Sequence, residues 1–600
     1  MQKRPPLLSA RWAVATLAVV LTGCGGGDTA APIQSASNTT PPPTAVVTTP
    51  TQTVTTPTTT TTTTVTLPRL TAATGASLTS CTDLSTRFVH GNTVISSAQA
   101  IAAGTLTWGG TGIGAHCLVK GEMYKRVSPQ DGKSYAIGFE MRLPNAWNGR
   151  FFYQANGGSD GLIQTALGGG GPQPTVALQQ GFAVISSDAG HTGQGNLDFG
   201  IDFQARLDYG YQAVAKLTPM AKALIATAYG KAPDRSYMGG CSNGGRHTFV
   251  AMTRMSDQYD GYLAGAPGYR LPLAAIANME RAKQLATVAT NPSDLSTAFT
   301  GDERALLSKS VLAKCDALDG ATDGMIQDVE ACRGAFSLQR DVPTCTGARD
   351  GACLSAAQKT AFAPMFSGAV NSLGEKFYAS FPYDSGHNAA DSSFWRFFVP
   401  LNIDSGATAL IWGAPPANPA TFNGAAYALT TPVDTKLTAV AATNATYTES
   451  GLSFMQPVQP TKLDALKNRG AKVMVYHGVS DAIFSVDDTT SWYEGLRSAN
   501  GGDASNFARY YRVPGMSHCA VGPATEQFDM LTPLVNWVEK GEAPDNVLAS
   551  ARGAGNPVGV NPDVPASWSP NRTRPLCAFP KVARYKGTGS IEEAASFSCQ

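Results

Sequence analysis

The feature that most constrains the fold of this chain is a serine placed among glycines where a predicted strand meets a predicted helix. Residues 235–238 are strand-like, residues 246–252 have a helical pattern, and Gly240 and Gly244 stand two positions before and after Ser242. Side chains at those two positions would collide with neighbouring backbone on so sharp a turn, and glycine avoids the collision. The pattern predicts that Ser242 is exposed on a strained turn, where a nucleophile can act.

Further apolar runs of strand type accompany this turn, at residues 149–153, 182–188 and 472–476. A helical pattern at residues 204–229 lies between two of them, so that strands alternate with helices. Such alternation predicts a mostly parallel sheet covered on both faces. Together with the turn around Ser242, it predicts the α/β class and, within it, the α/β-hydrolase fold.

Composition excludes several classes of function. The 600 residues are 43% hydrophobic and 15% charged, with a formal net charge of +1. Such a chain can bury a large core, so disorder throughout is excluded, and its charge gives no reason to expect a nucleic-acid partner. The length is compatible with two average domains or with one enlarged domain.

The N-terminus is typical of an exported bacterial lipoprotein. Residues 1–23 combine a basic start with an apolar run too short to span a bilayer, and they are predicted to be a signal peptide. The following Cys24 completes a lipobox-like sequence and is the predicted lipidation site, the alternative being a chance cysteine. Residues 24–68 are rich in Thr and Pro and predict a disordered linker. We therefore expect attachment to a bacterial membrane, the outer one, through the lipid alone, with the protein facing the periplasm or the exterior.

A serine nucleophile needs a base and an acid that orients it. His518 follows a strand-like segment late in the chain, as the α/β-hydrolase order of serine, acid and histidine requires. Asp481 lies just beyond the strand at residues 472–476 and is the predicted acid. His477 is a weaker candidate for the base because Asp481 follows it rather than preceding it.

Ten cysteines remain after Cys24, an even number that suggests five disulfides in an exported protein. Three local pairs close short loops: Cys315 with Cys332, Cys345 with Cys353, and Cys577 with Cys599. Free thiols or metal ligands are the alternative. Cys241 immediately precedes the predicted nucleophile and Cys519 immediately follows the predicted base, so a bridge between them would join the two loops that must meet.

At these residues the chain resembles the tannase and feruloyl esterase family. The similarity runs from about Cys81 to Cys599, and its most specific part is the pairing of Cys-Ser with His-Cys. The resemblance implies the disulfides Cys81–Cys117 and Cys241–Cys519, together with the three local pairs. It also implies an α/β-hydrolase domain in two parts, residues 69–268 and 459–600, interrupted by a large inserted lid domain at residues 269–458.

The predicted lid contains three carboxylates within eight residues, Asp316, Asp319 and Asp323, interspersed with glycines. Hard oxygen ligands on such a loop suit Ca2+. The family resemblance implies a structural calcium site with these three side chains and the carbonyls of Ala321 and Met325 as ligands. A solvated acidic turn is the alternative.

The predicted activity is hydrolysis of a carboxylic ester through an acyl-enzyme. Ser242 would attack, His518 would act as general base and then general acid, and Asp481 would orient it. Backbone N–H groups of Asn243 and Gly158 are the predicted oxyanion donors. The rival hypothesis is a non-catalytic surface lipoprotein that binds a glycan or a partner on a hydrolase scaffold.

The resemblance implies a small aromatic ester as substrate: a hydroxycinnamate, a gallate or, alternatively, mono(2-hydroxyethyl) terephthalate. Candidate ring-binding residues are Phe484, Phe398, Trp395 and Trp412, any of which could instead belong to the core. A relative in the family holds a substrate carboxylate with a lid arginine, but residues 401–412 contain no Arg or Lys. Arg396 is the nearest candidate, with a structural role as the alternative.

Overall fold

The computed structural model describes residues 67–292 and 294–600. The predicted signal peptide, Cys24 and all but the last two residues of the predicted linker lie outside these described residues. Within them, no helix is long and apolar enough to cross a membrane.

A nine-stranded mixed sheet forms the centre of the fold. Its strands in chain order are β1 (Thr93–Ile101), β2 (His116–Val127), β3 (Ser134–Pro144), β4 (Arg150–Gln154), β5 (Ala183–Ser187), β6 (Arg235–Cys241), β7 (Gly261–Gly265), β8 (Lys472–Gly478) and β9 (Ala508–Val513). Their order across the sheet is β9-β8-β7-β6-β4-β5-β3-β2-β1. The strands from β4 and β5 to β9 pair in parallel, whereas β1, β2 and β3 add an antiparallel edge.

Six longer helices lie within the part of the chain that the structure describes: α1 (Ala213–Tyr229), α2 (Asn243–Arg254), α3 (Leu271–Ala286), α4 (Gly301–Cys315), α5 (Val486–Ala499) and α6 (Leu531–Lys540). Shorter helices are Leu84–Arg87, Phe203–Leu207, Val329–Ala335, Leu338–Asp341, Ala356–Phe362, Gly424–Thr430, Val433–Ala441, Gly451–Met455 and Asp464–Asn468. Small strands pair outside the main sheet: Ala76–Ser77 with Ala146–Trp147, Thr107–Trp108 with Thr111–Gly112, Ala583–Tyr585 with Phe597–Cys599, and Asn546–Ser550 between Gln527–Phe528 and Thr573–Cys577.

Both faces of the sheet are buried, as the sequence predicts. Successive side chains of a strand point to opposite faces. Val473 and Val475 of β8 accordingly pack in one hydrophobic cluster, which contains α1 and α2 residues, whereas Met474 and Tyr476 pack in another, which contains α6 residues. The α/β class is therefore confirmed.

The segment between β7 and β8 contains a second, mainly helical core. Residues of α3 and α4 pack there with a run of three π-helical stretches at Phe394–Phe398, Pro400–Asp404 and Ala407–Trp412. Residues from outside the predicted lid join the same core, among them Leu197 and Tyr209. This second core and the helices around it, which we call the helical layer, therefore contain residues from before and after Ser242.

Five disulfides join the ten cysteines named above, with the pairings that the family resemblance implies: Cys81–Cys117, Cys241–Cys519, Cys315–Cys332, Cys345–Cys353 and Cys577–Cys599. So many disulfides are typical of a protein that folds in an oxidising compartment.

Candidate active site

Ser242 stands on a strained turn between β6 and α2. Its backbone has φ 66° and ψ −125°, a left-handed conformation that is rare outside glycine. A Cβ atom on Gly240 or Gly244 would lie 2.1 or 2.2 Å from the carbonyl oxygen of Ala155. Backbone from β4 therefore crosses directly beneath the turn, and this close approach is the physical reason for both glycines.

His518 and Asp481 complete a hydrogen-bonded relay with this serine. His518 Nε2 lies 2.8 Å from Ser242 Oγ, and His518 Nδ1 lies 2.7 Å from Asp481 Oδ2. The three residues follow the carboxyl ends of β6, β8 and β9. Since neighbouring parallel strands end at one edge of a sheet, the topology brings these loops together.

Asp481 is buried and held by several donors. The backbone N–H groups of Ile483 and Phe484 both donate to its Oδ1 at 2.9 Å, and His477 Nε2 lies 3.2 Å from its Oδ2. Burial alone would raise the pKa of this carboxyl, but His518 and His477 hold its pKa well below the usual range. The carboxylate therefore stays ionised and can stabilise a protonated His518.

One residue of the helical layer connects the two loops, and no sequence motif pointed to it. Asp384 Oδ2 accepts hydrogen bonds from Ser480 Oγ at 2.7 Å and from the N–H of Gly515 at 2.8 Å. Burial raises the pKa of Asp384 to about 6. This carboxyl joins the residue before Asp481 to the loop that carries His518.

The predicted oxyanion donors flank Ser242. Asn243 is the first residue of α2, so its N–H has no acceptor within the helix. Gly158 belongs to the loop after β4, and both residues line a cavity together with Ser242. Asp160 of this loop accepts hydrogen bonds at 2.8 Å from the side chains of Asn243 and His247. This buried network ties the loop to the start of α2.

The disulfide Cys241–Cys519 joins the two loops of the relay directly. Its Cα atoms are 6.1 Å apart, and the bonded residues are separated by 278 positions in the sequence. In the chain-entropy model, closing so long a loop contributes on the order of 5 kcal/mol to the free energy of unfolding. The disulfide therefore keeps the residue before Ser242 and the residue after His518 from moving apart.

Two cavities meet at Ser242. One, of about 450 Å³, has mainly apolar walls that include Leu197, Leu271, Ile411 and Phe484, and we call it the apolar cavity. The other, of about 400 Å³, is lined by polar groups that include Gln154, Asn156, Gln164 and Thr165, and also by His518; we call it the polar cavity. Trp395 lines both, with its ring centroid 4.5 Å from that of His518.

Of the predicted ring-binding residues, Trp395, Trp412 and Phe484 line the apolar cavity. Phe398 does not lie with them: it is 50% exposed, stacks on Phe394 and does not line the cavity, whereas Phe394 does. The segment is π-helical, so each turn holds more residues than in an α-helix, and the facing position shifts along the chain.

Arg396, the candidate for binding a substrate carboxylate, also lies apart from Ser242. Arg396 is 2% exposed and lies over the ring of Phe362, next to His387, away from both cavities. Burial lowers its pKa to about 9. Its neighbours make it part of the packing of the helical layer.

The acidic loop predicted to bind calcium lies between Cys315 and Cys332. Asp316 accepts hydrogen bonds from the N–H groups of Asp323 and Gly324, and Asp323 pairs with Arg574. Burial and the two neighbouring carboxylates raise the pKa of Asp319 to about 7. The donor chemistry fits a hard cation. Among residues 67–292 and 294–600, however, no three His, Cys, Asp or Glu side chains form a group that could hold a metal ion.

Comparison with known proteins gives the fold and the family. The structure resembles feruloyl esterase B from Aspergillus oryzae with a TM-score of 0.69 at 24% identity, covering 87% of this chain and 99% of that one. It resembles tannin acyl hydrolase from Aspergillus niger with a TM-score of 0.62 at 19% identity, covering 87% and 95% of the two chains. The class of the protein is therefore the α/β-hydrolase fold, as predicted.

The family model for tannase and feruloyl esterase matches residues 117–600. The chain is also 37% identical over 545 residues to mono(2-hydroxyethyl) terephthalate hydrolase from Piscinibacter sakaiensis, covering 84% of this chain and 88% of that protein. The chain belongs to the tannase and feruloyl esterase family, and it is a carboxylic ester hydrolase.

Proposed function

We propose that this protein is an exported serine esterase that hydrolyses esters of aromatic carboxylic acids through an acyl-enzyme. The observation that carries the proposal is the relay of hydrogen bonds from Ser242 through His518 to Asp481. The five disulfides support export, and the N-terminal sequence supports a lipid anchor at Cys24.

In the first step, Ser242 Oγ attacks the ester carbonyl while His518 Nε2 takes its proton. The negative charge on the carbonyl oxygen is stabilised by the N–H groups of Asn243 and Gly158, and losing one such donor typically costs about 3 kcal/mol of transition-state stabilisation. The ester C–O bond then breaks, and His518 returns the proton to the leaving alcohol. Water attacks the acyl-enzyme by the same route, releasing the acid and restoring Ser242.

We assign one half of the ester to each cavity, according to which cavity His518 lines. The leaving alcohol must lie beside the histidine that protonates it, and His518 lines the polar cavity but not the apolar one. The alcohol therefore occupies the polar cavity and the acyl group occupies the apolar cavity. Trp395, Trp412 and Phe484 give that cavity aromatic walls that suit an aromatic acid.

A second candidate is hydrolysis of mono(2-hydroxyethyl) terephthalate, favoured by the 37% identity to the hydrolase of that ester. Kinetics with methyl ferulate, methyl gallate and mono(2-hydroxyethyl) terephthalate would rank the candidates. The preferred ester is the one with the highest kcat/KM.

The test of the mechanism is hydrolysis of a p-nitrophenyl ester by Ser242→Ala and His518→Ala. We expect each to lower kcat by a factor on the order of 10⁴ or more without unfolding the protein, because members of such a relay act as a unit. His90→Ala is the matched control, since His90 precedes the edge strand β1, and it should keep wild-type kcat. Activity above about a tenth of wild type in either relay variant would refute the mechanism and favour a non-catalytic binding protein.

A further inference from the structure

One wall residue sets the apolar cavity apart from a purely hydrophobic pocket. Asp404, the last residue of the π-helical stretch Pro400–Asp404, lines this cavity together with Ser242. No Lys, Arg or His is found among the described residues that line it. The cavity therefore presents a carboxylate to its contents without any cation beside it.

The carboxylate of Asp404 is fixed in place but has capacity for another donor. The residue is 3% exposed, and Asn278 Nδ2 donates to its Oδ2 at 3.0 Å. This is the one hydrogen bond that the described residues give its side chain, and an ionised carboxylate can accept about four. Burial raises the pKa of Asp404 to about 6, so it is mostly ionised at neutral pH.

The cation whose charge reaches Asp404 lies outside the lining of the apolar cavity. The charge of Arg281 acts on Asp404 and counteracts part of the effect of burial on its pKa. Arg281 itself donates to the carbonyl of Ala482 at 2.9 Å, lies over the ring of Phe381 and does not line the apolar cavity. It is therefore not placed to bind the far end of an acyl group.

We infer that Asp404 determines which acyl groups this enzyme accepts, by taking a hydrogen bond from a hydroxyl group on the aromatic ring and by repelling a ring that carries a carboxylate. The inference rests on the proposed function, because it places the acyl group in the apolar cavity. A buried carboxylate that can accept a further hydrogen bond discriminates between substrates with and without a donor. A second carboxylate in the same cavity would add like-charge repulsion where little water screens it.

The experiment compares three methyl esters that differ only at the ring position opposite the ester: methyl 4-hydroxybenzoate, methyl benzoate and monomethyl terephthalate. In the wild type we expect kcat/KM to fall in that order, with the first at least about tenfold above the last. Asp404→Asn keeps the shape and removes the charge, so it should reduce this ratio about tenfold, mainly by raising kcat/KM for monomethyl terephthalate. Asp404→Leu removes the acceptor and should bring methyl 4-hydroxybenzoate down to the level of methyl benzoate.

Methyl benzoate serves as the internal reference, because it carries neither the hydroxyl group nor the carboxylate, and in each variant kcat/KM for the other two esters is expressed relative to it. A wild-type preference for monomethyl terephthalate over methyl benzoate would overturn the inference, and that measurement needs no variant to fold. A ratio unchanged in Asp404→Asn would overturn it as well. Both outcomes leave the proposed function intact, whereas a wild type that hydrolyses none of the three esters would contradict the proposed function itself.

Discussion

The two walls of the candidate site are built in different ways. On the sheet side, Ser242, Asp481 and His518 follow the carboxyl ends of the parallel strands β6, β8 and β9 and are held by hydrogen bonds and by the disulfide Cys241–Cys519. On the helical side, many of the residues that line the apolar cavity come from the π-helical run Phe394–Trp412, which is held mainly by apolar packing.

Because of this difference, the sheet side carries the chemical step and the helical side selects the ester. The helical wall can exchange one apolar side chain for another without moving the relay, and Phe394 at its rim is 43% exposed. We therefore expect substitutions on the sheet side to change kcat for every ester, and substitutions on the helical side to change which ester is preferred.

Breaking the disulfide between the relay loops should have the largest effect. With Cys241 and Cys519 both replaced by serine, we expect kcat to fall about a hundredfold, because a displacement of about 1 Å between nucleophile and base can cost that much in rate. The control is removal of Cys577 and Cys599, which should lower the melting temperature but leave kcat nearly unchanged. Equal kcat in the two double variants would contradict the special role of the sheet-side bridge.

Loosening the oxyanion loop should have the next largest effect. Asp160→Ala removes the acceptor that joins the side chains of Asn243 and His247 to this loop, so the two oxyanion donors should lose their alignment. We expect kcat to fall about tenfold for all esters while KM changes little, because the contact acts on the transition state. The control is Asp257→Ala, because Asp257 is an exposed aspartate just beyond α2. A kcat within twofold of wild type in Asp160→Ala would show that this network does not align the oxyanion donors.

A calcium ion on the acidic loop, whose residues line neither cavity, should affect stability rather than turnover. If the loop of Asp316, Asp319 and Asp323 binds calcium, EGTA should lower the melting temperature by about 5 °C, because Asp316 and Asp319 would lose the cation that offsets the repulsion between the carboxylates. Asp319→Ala should abolish the sensitivity to EGTA, whereas Asp302→Ala, an exposed acid on α4, should keep it. A melting curve that EGTA does not change would show that the loop is an acidic turn without a metal.

The smallest expected effect is a dependence of stability on pH from Asp188, which follows β5. Burial raises the pKa of Asp188 to about 7, above the value of about 3.9 in an unfolded chain. The folded state therefore binds the proton more tightly, and stability falls as the pH rises from about 4 to about 7.

Asp188→Asn removes this titration. The melting temperature of the variant relative to wild type should therefore rise by a few degrees between pH 5 and pH 8. The exposed Asp257→Asn should show no such trend. A difference that stays constant over this pH range would mean that Asp188 titrates normally in the folded protein.

The sequence predicts the sheet-side wall well because local geometry dictates it. Gly240 and Gly244 are required wherever backbone crosses beneath the turn, and residues that follow strand ends must meet at one edge of a parallel sheet. The contributions of Asp384 and Asp160 have no such signature, since each depends on contacts between segments far apart in the chain. His477 could be seen in the sequence, but as a competitor for the base rather than as a second partner of Asp481.

The helical wall is predicted poorly for a related reason. Phe398 and Arg396 are assigned by resemblance to a relative and not by local geometry, and the three π-helical stretches between Phe394 and Trp412 decide which side chains reach the cavity. The sequence still indicates that this wall is aromatic, because Phe394 lies where Phe398 was expected. The carboxylate of Asp404 can be recognised as a wall residue only once the cavity is known.

The most direct test of the central claim is covalent labelling of the nucleophile with a p-nitrophenyl phosphonate, followed by mass spectrometry of the intact protein and of its peptides. The relay predicts a single phosphonyl group, located on Ser242, with labelling slowed at least about a hundredfold in His518→Ala and absent in Ser242→Ala. Release of p-nitrophenol should match the labelled fraction. A phosphonyl group on any other residue, or undiminished labelling in Ser242→Ala, would contradict the assignment of the nucleophile.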